Sequence, residues 1–297
     1  MSIIKNDLSP SKCPLCQSNN ISKLGFISYS KPTYYSSKRI ELLNQPDLWK
    51  CKECNSKFIG SGIQENDSIK LYAEGDASKR WISNCSFEDG KTGDVVSTLR
   101  TLFKPGTHLL DIGCNTGELL DFASQQGCET FGCDYSQASL NIIRDKGHIA
   151  FSSMEEIQDK FDLIVAFDLI EHLYDVPTFL EACYELLREQ GKIIFFTGDI
   201  SSFPSIALGL SWWYLGFPEH IVFPSKTYLK NHPKFNLTKW MKTYHSIYCK
   251  GTYSFLLRLR TAASAIFRSR VLRQSHSIFP TFGPDHVLVV LEKLEGE

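Results

Sequence analysis

Between residues 93 and 200 short apolar runs alternate with longer amphipathic segments. HLLDIG (108–113) reads as a strand, and GELLDFASQQG (117–127) as a helix stopped by Gly127. ETFGCD (129–134) is a second strand, and SQASLNIIRDKG (136–147) a helix with Ser136 as N-cap. HIAF (148–151) is a short strand and FDLIVAF (161–167) a buried one. VPTFLEACYELLREQG (176–191) predicts a helix with Pro177 near its start and Gly191 closing it, followed by the strand KIIFFTG (192–198). Later strands are read at WMKTYHSIYC (240–249) and DHVLVVLEK (285–293). Such alternation predicts a parallel sheet covered on both faces, with ligands at the carboxyl ends of its strands.

The first strand ends in Asp111, and Gly113 and Gly117 follow it. A dinucleotide fingerprint starting at Gly113 needs glycines where Asn115 and Glu118 stand, and a phosphate-binding loop needs a Lys followed by Ser or Thr. Asp111 also repels a pyrophosphate and welcomes an ammonium. Gly113 and Gly117 still permit close backbone approach, and the helix start beyond them still attracts a carboxylate. Asp134, at the end of the second strand, stands where ribose hydroxyls are held in nucleotide-binding sheets. A ligand with an amine, a carboxylate and a ribose is required, and S-adenosylmethionine meets all three demands.

Ahead of this pattern lie two CxxC pairs, Cys13–Cys16 and Cys51–Cys54, separated by a long loop. Two such turns complete a tetrahedral thiolate site suited to structural Zn2+, with no open coordination position. Redox-active pairs are the alternative. The chain starts without an apolar leader and disulfides are not expected, so the remaining cysteines read as core filler. With 297 residues, 42% of them hydrophobic, there is material for one large core and an accessory module.

LLDIGCNTGELL with GCDYS, FDLIVAFDLIEHLYD (161–175), GKIIFFTGD and DHVLVVLEK together resemble the class I methyltransferases that use S-adenosylmethionine. The resemblance implies an α/β, Rossmann-like seven-stranded methyltransferase sheet. It implies that Asp111, Gly113 and Gly117, with Cys114 and Asn115 in the same loop, line the methionine end of the cofactor. Asp134 is then expected on the ribose, with Tyr135, Ser153 and Met154 around the adenine. Phe167, Asp168 and His172 are expected on the methyl-donor side. Asn115 departs from the glycine that the family more often has.

The domain boundaries expected are 1–60 for a small zinc-ribbon-like module and 61–106 for a helical cover and linker. The methyltransferase domain takes 107–297, with a basic helical insertion at about 250–284. A zinc-bearing leader, with FPEHIVFPS (217–225) after the fifth strand, narrows the likeness to zinc-carrying sugar and natural-product methyltransferases. In the sugar C-methyltransferases of that kind a Glu-His pair serves in acid–base catalysis. The resemblance therefore assigns His220 as the base and Glu219 as the residue that orients it. Trp212, Trp213 and Tyr214 read either as an acceptor lid or as core, and Tyr72, Lys79, Arg80 and Trp81 as cover residues over the cofactor.

Charge is unevenly placed. Residues 1–60 carry nine Lys/Arg against four acids, residues 61–224 eleven against twenty-five, and residues 225–284 eleven with no acid. The last stretch suits an anionic neighbour. TYSFLLRLRTAASAIFRSRVLRQ (252–274) reads as a basic amphipathic helix, which either meets a membrane surface at the cytoplasmic face or packs on the protein with its arginines in water. The expected function is methyl transfer to a sugar, glycan or related small metabolite, nucleotide- or lipid-linked, in the cytoplasm. RNA is a less favoured acceptor, since no Asn-Pro-Pro-Tyr motif follows the fourth strand, and a non-catalytic cofactor-binding subunit is the remaining alternative.

Overall fold

The computed structural model describes residues 2–4, 9–27, 29, 33–35, 37–74, 86–246, 260, 263–264, 266–267 and 283–295. Six short strands come first: β1 (Ser2–Ile4), β2 (Ile21–Phe26), β3 (Thr33–Tyr35), β4 (Lys38–Leu42), β5 (Asp47–Cys51) and β6 (Lys57–Ile59). They are followed by β7 (His108–Ile112), β8 (Glu129–Cys133), β9 (Ile149–Phe151), β10 (Phe161–Phe167) and β11 (Leu187–Gly198). The last three are β12 (Val222–Phe223), β13 (Phe235–Thr243) and β14 (His286–Lys293).

The large sheet has seven strands in the order β13-β14-β11-β10-β7-β8-β9. Strands β7 to β11 are parallel, as the strand–helix alternation predicts. Both faces of its central strands are buried. Along β10, Leu163 and Val165 enter one core while Ile164 and Ala166 enter the other, and Ile194/Phe196 and Ile193/Phe195 of β11 divide in the same way. Helices Glu118–Gln125, Gln137–Asp145 and Val176–Leu186 link the strands. Ser136 caps its helix by accepting from the Ser139 N–H at 3.3 Å, and Asp175 caps the next from Thr178 at 2.9 Å, with proline in the first turn.

Two sequence expectations shift. The helix expected over 176–191 ends at Leu186, and β11 begins at Leu187, which pairs with Phe161. Gly191 sits inside β11, where the register slips between Phe161 and Leu163, rather than at a helix end. The strand expected at 240–249 instead runs from Phe235 to Thr243, because its ladder with β14 pairs Phe235 with Lys293 and Thr243 with His286.

β14 is antiparallel to both β11 and β13. It therefore starts at the edge where β11 and β13 end: Gly198 and Thr243 both pair with His286. Residues just beyond β10, β11 and β13, and just before β14, all converge there.

The cysteine-bearing segment forms a four-stranded sheet in the order β12-β6-β5-β2. Its β12 strand comes from the loop after β11, pairing Val222 with Phe58 and Phe223 with Lys57. Strands β1, β4 and β3 form a third, small sheet. Of the basic segment 252–274, residues 260, 263–264 and 266–267 are helical and the rest lies outside the described residues, as does most of 250–284.

Gly198 closes β11 against the aromatic loop. A methyl group there overlaps the Tyr214 ring and comes 2.9 Å from Trp212. Gly198→Ala should lower stability by about 1–3 kcal/mol through overpacking, read as a drop in the thermal midpoint. An unchanged midpoint would contradict this packing of Tyr214 on the strand end.

Candidate active site

The loop after β7 is pinned to β8. The Gly113 N–H donates to the Cys133 carbonyl at 2.8 Å, and the Cys114 N–H to the same oxygen at 3.3 Å. Gly113 and Gly117 have φ of 77° and 83°, and Asn115 has 46°, so the loop turns through left-handed backbone that glycine enters without strain. A side chain at Gly132 would strike Ile143 and Cys114, which is why this loop can lie so close to the sheet. Asp134 accepts from the Asn115 N–H at 2.9 Å through Oδ2 and from the Ser136 N–H at 2.8 Å through Oδ1. It ties the glycine loop to the next helix start and still has lone pairs for a hydroxyl donor.

The loop is strongly acidic. Burial, then the charges of Asp134 and Glu118, push the Asp111 carboxyl well above its ordinary range. Burial also raises Asp134. The Asn115 Oδ1 is buried without a partner among the described residues. A cation or N–H donor placed here would relieve all three. Tyr135 is 90% exposed beside Asp134, and Ser153 and Met154 follow β9 half-buried, so the sequence-predicted adenine residues border one rim. Cys114 is buried beneath the loop.

Across the same sheet edge, Leu169 lies where a Cβ on Gly113 would stand 3.2 Å from its Cδ1, so the segment after β10 abuts the glycine loop. Phe167 ends β10, half-buried and stacked on Phe196 at 5.2 Å. Asp168 has a φ of 49°, a conformation uncommon for a non-glycine residue, and its N–H donates to the Phe196 carbonyl at 2.8 Å. Burial alone would raise its carboxyl, but Lys91, 3.4 Å away, with His245 and His286, outweighs burial and holds it at about 2.

Behind it Glu171 is fully buried and accepts from the Tyr214 hydroxyl and, at 2.9 Å, from Thr197. Burial and the Asp168 charge push Glu171 up to about 7 despite those donors. His172 and His220 stand edge to face, centroids 4.8 Å apart. The His220 Nδ1 lies 2.8 Å from the Tyr214 carbonyl, and the His172 Nδ1 lies 3.1 Å from the Glu219 carbonyl and 3.2 Å from the Tyr72 hydroxyl. A carbonyl only accepts, so each Nδ1 bears the proton and each Nε2 keeps its lone pair. Burial, and for His220 also His172, pulls both imidazoles below their ordinary range, His220 furthest.

This arrangement corrects the expected pairing. The Tyr214 carbonyl orients His220, whereas the carbonyl and charge of Glu219 act on His172. Trp212 and Trp213 do not offer their faces as a lid. Both are buried, their indole N–H groups donate to the Asp285 Oδ2 at 3.1 and 2.7 Å, and Trp213 stacks on His286. Of the cover residues Tyr72 reaches His172, while Lys79, Arg80 and Trp81 lie outside the described residues. Sequence reasoning missed Lys91, Glu171, His245, Asp285 and His286. The sheet reversal at β14 is what brings Asp285 and His286 to the end of β13 and so beside His245.

The four cysteines also meet. Cys13 and Cys54 sulfurs are 3.7 Å apart, Cys16 and Cys51 sulfurs 3.5 Å, and one sulfur from each lies within 4.8 Å of the others. A tetrahedron with Zn–S bonds of about 2.3 Å has edges of about 3.8 Å, so the set fits such an ion. Hydrogen bonds from Cys13 and then Ser56 outweigh burial and lower the Cys54 thiol to about 5.

A glycine loop, two strand-end acids and a chamber of neutral histidines share one edge of this sheet, the arrangement that the sequence resemblance to class I methyltransferases implies. The comparisons agree: residues 86–233 match the family model described as a methyltransferase domain. The chain is 34% identical over 98 residues to a ubiquinone biosynthesis O-methyltransferase of Bradyrhizobium diazoefficiens, covering 30% of this chain and 39% of that protein. A protein of the same description from Alkalilimnicola ehrlichii is 30% identical over 103 residues, covering 31% and 42%. The chain thus spans about two fifths of the length of these relatives. Similar solved structures include coclaurine N-methyltransferase (TM-score 0.46, 11% identity, covering 67% of this chain and 72% of that one). A methyltransferase from Archaeoglobus fulgidus gives a TM-score of 0.43 at 17% identity, covering 77% and 100%. Among the described residues no helix is long and apolar enough to cross a membrane.

Asp134→Asn keeps the side-chain volume but, with a single acceptor oxygen, gives up one of the two N–H bonds to Asn115 and Ser136 together with the charge offered to a ribose. The variant should bind S-adenosylmethionine about 1.5–3 kcal/mol less tightly, a roughly 10- to 100-fold rise in Kd by calorimetry. Wild-type affinity in this variant would place the ribose elsewhere.

Proposed function

We propose that the protein transfers the methyl group of S-adenosylmethionine to a hydroxyl of a small acceptor, with His220 as the base. The observation that supports this most directly is the state of His220: neutral, fixed through Nδ1, its Nε2 lone pair inside a buried chamber beside the cofactor loop. The acceptor oxygen attacks the methyl carbon, the carbon–sulfur bond breaks, and the hydroxyl proton passes to Nε2. The cofactor leaves as a neutral thioether. Burial removes competing water, and the acids around Asp111 favour the cofactor's positive end. Oxygen is favoured as the acceptor atom because the Bradyrhizobium and Alkalilimnicola relatives are O-methyltransferases. For the acceptor class we keep sugars, glycans and related small metabolites, on the sequence resemblance of the FPEHIVFPS loop.

The cysteine cluster belongs in the same proposal as a structural zinc site that anchors this loop. The Ile59 N–H donates to the Ile221 carbonyl at 2.7 Å, and the Ile221 N–H to the Glu171 carbonyl at 2.8 Å. The Ser225 hydroxyl donates to the Cys54 carbonyl. The segment carrying His220 is thereby held between the cysteine sheet and the turn after β10.

Two measurements test the reading. His220→Ala should lower turnover about 100- to 10,000-fold while leaving the Kd for S-adenosylmethionine within about twofold. Turnover near wild type would remove His220 from the chemistry, and label from S-adenosylmethionine appearing in RNA alone would remove the small acceptor. Elemental analysis should find zinc bound by the cysteines, lost with a lower thermal midpoint in Cys54→Ser. An unchanged zinc content and midpoint in that variant would release the cluster from this role.

A further inference from the structure

Beside the proposed base lies a second group of side chains that the proton transfer to His220 does not use. Asp168, His245 and His286 each offer a ligand atom, and the three atoms lie within 4.8 Å of one another. His286 is fully buried, and its Nε2 has no partner among the described residues. The Asp168 Oδ1 is likewise buried and unpartnered, while its Oδ2 faces Lys91 at 3.4 Å. Buried polar atoms are almost always paired, so two such atoms in one cluster of possible ligands call for an occupant.

The surroundings say which kind. The His286 Nδ1 donates to the Asp285 Oδ1 at 3.0 Å, and the two indole N–H groups hold the other oxygen of Asp285. That fixes the tautomer and leaves the Nε2 lone pair free for a ligand, as in carboxylate–histidine–metal arrangements. The His245 ring lies 4.9 Å from that of His286, and burial keeps it neutral. The left-handed backbone at Asp168 holds the carboxylate toward both rings.

We propose that Asp168, His245 and His286 bind a divalent first-row transition ion, such as Zn2+ or Fe2+, at the acceptor end of the chamber. Two imidazoles and one carboxylate suit such ions, and three protein ligands leave positions open. Resting on the proposed methyl transfer, the ion there takes an oxygen of the acceptor, polarises its hydroxyl and aims it at the methyl group, while the proton goes to His220. Lys91 is the competing cation, so its removal favours the ion.

Co2+ is the probe, added to full-length protein whose cysteine cluster is already filled with zinc. One equivalent should bind with weak visible bands and without the near-ultraviolet absorption of a cobalt–thiolate bond. His286→Ala and Asp168→Asn should each weaken this binding at least tenfold, and Lys91→Met should strengthen it, a gain that a damaged fold would not produce. Absence of a second equivalent, or affinity unmoved in all three variants, would overturn the site. Methyl transfer to the acceptor, assayed separately, tests the underlying reaction. Co2+ binding as described in a protein that transfers no methyl group would leave the ion site standing and remove the role given to it.

Discussion

The reversal of a single strand arranges the rest of the chamber. Parallel strands alone deliver their carboxyl ends to one edge, and with them only the loop residues next in the chain. Because β14 runs the other way, its first residue pairs with the last residues of β11 and β13. Backbone hydrogen bonds thus set Asp285 and His286 against Gly198 on one side and Thr243 on the other, with His245 two residues further on. A one-residue slip in either ladder would turn His286 to the opposite face.

Electrostatics depends on that placement. Acids and imidazoles are withdrawn from water together, and each adopts the state its neighbours allow. Asp168 stays ionised because the Lys91 ammonium faces it, whereas Glu171, buried behind it and repelled by it, rises to about 7. Near neutral pH the chamber therefore holds the carboxylates of Asp168 and Asp285 and imidazoles that burial keeps unprotonated at His172, His220 and His245. Groups able to accept a proton lie beside a loop that favours a positive ligand. That division of labour suits displacement at a sulfonium.

The legible part of the sequence was local. Asp111, Gly113, Gly117 and Asp134 emerge from a strand, a turn and the next strand read in order, and the structure gathers them at the ends of β7 and β8 around the glycine loop. Four cysteines in two pairs were equally plain. The end of the helix at Leu186 was not, since LREQG has good helix formers and only the ladder with β10 draws Leu187 into the sheet. The sixth strand was misplaced because FNLTKWMKT and TYHSIYC are similarly rich in strand formers, and its partner β14 decided between them. Lys91, His245 and His286 come from three separate segments with no shared spacing, so no window along the chain could reveal them. The Glu219–His220 pair misled for a related reason. Adjacent residues in a loop need not face one another, and the Tyr214 carbonyl took the place beside the ring.

The strand β12 is two residues long, yet it makes the amino-terminal sheet and the methyltransferase sheet parts of one folding unit. In a chain shortened to begin after β6, Val222 and Phe223 would lose their partner strand and present unpaired N–H and C=O groups beside buried apolar side chains. Such an exposed edge invites association between copies. The cysteine leader thus covers an edge of the loop that bears His220 as well as setting that loop's position.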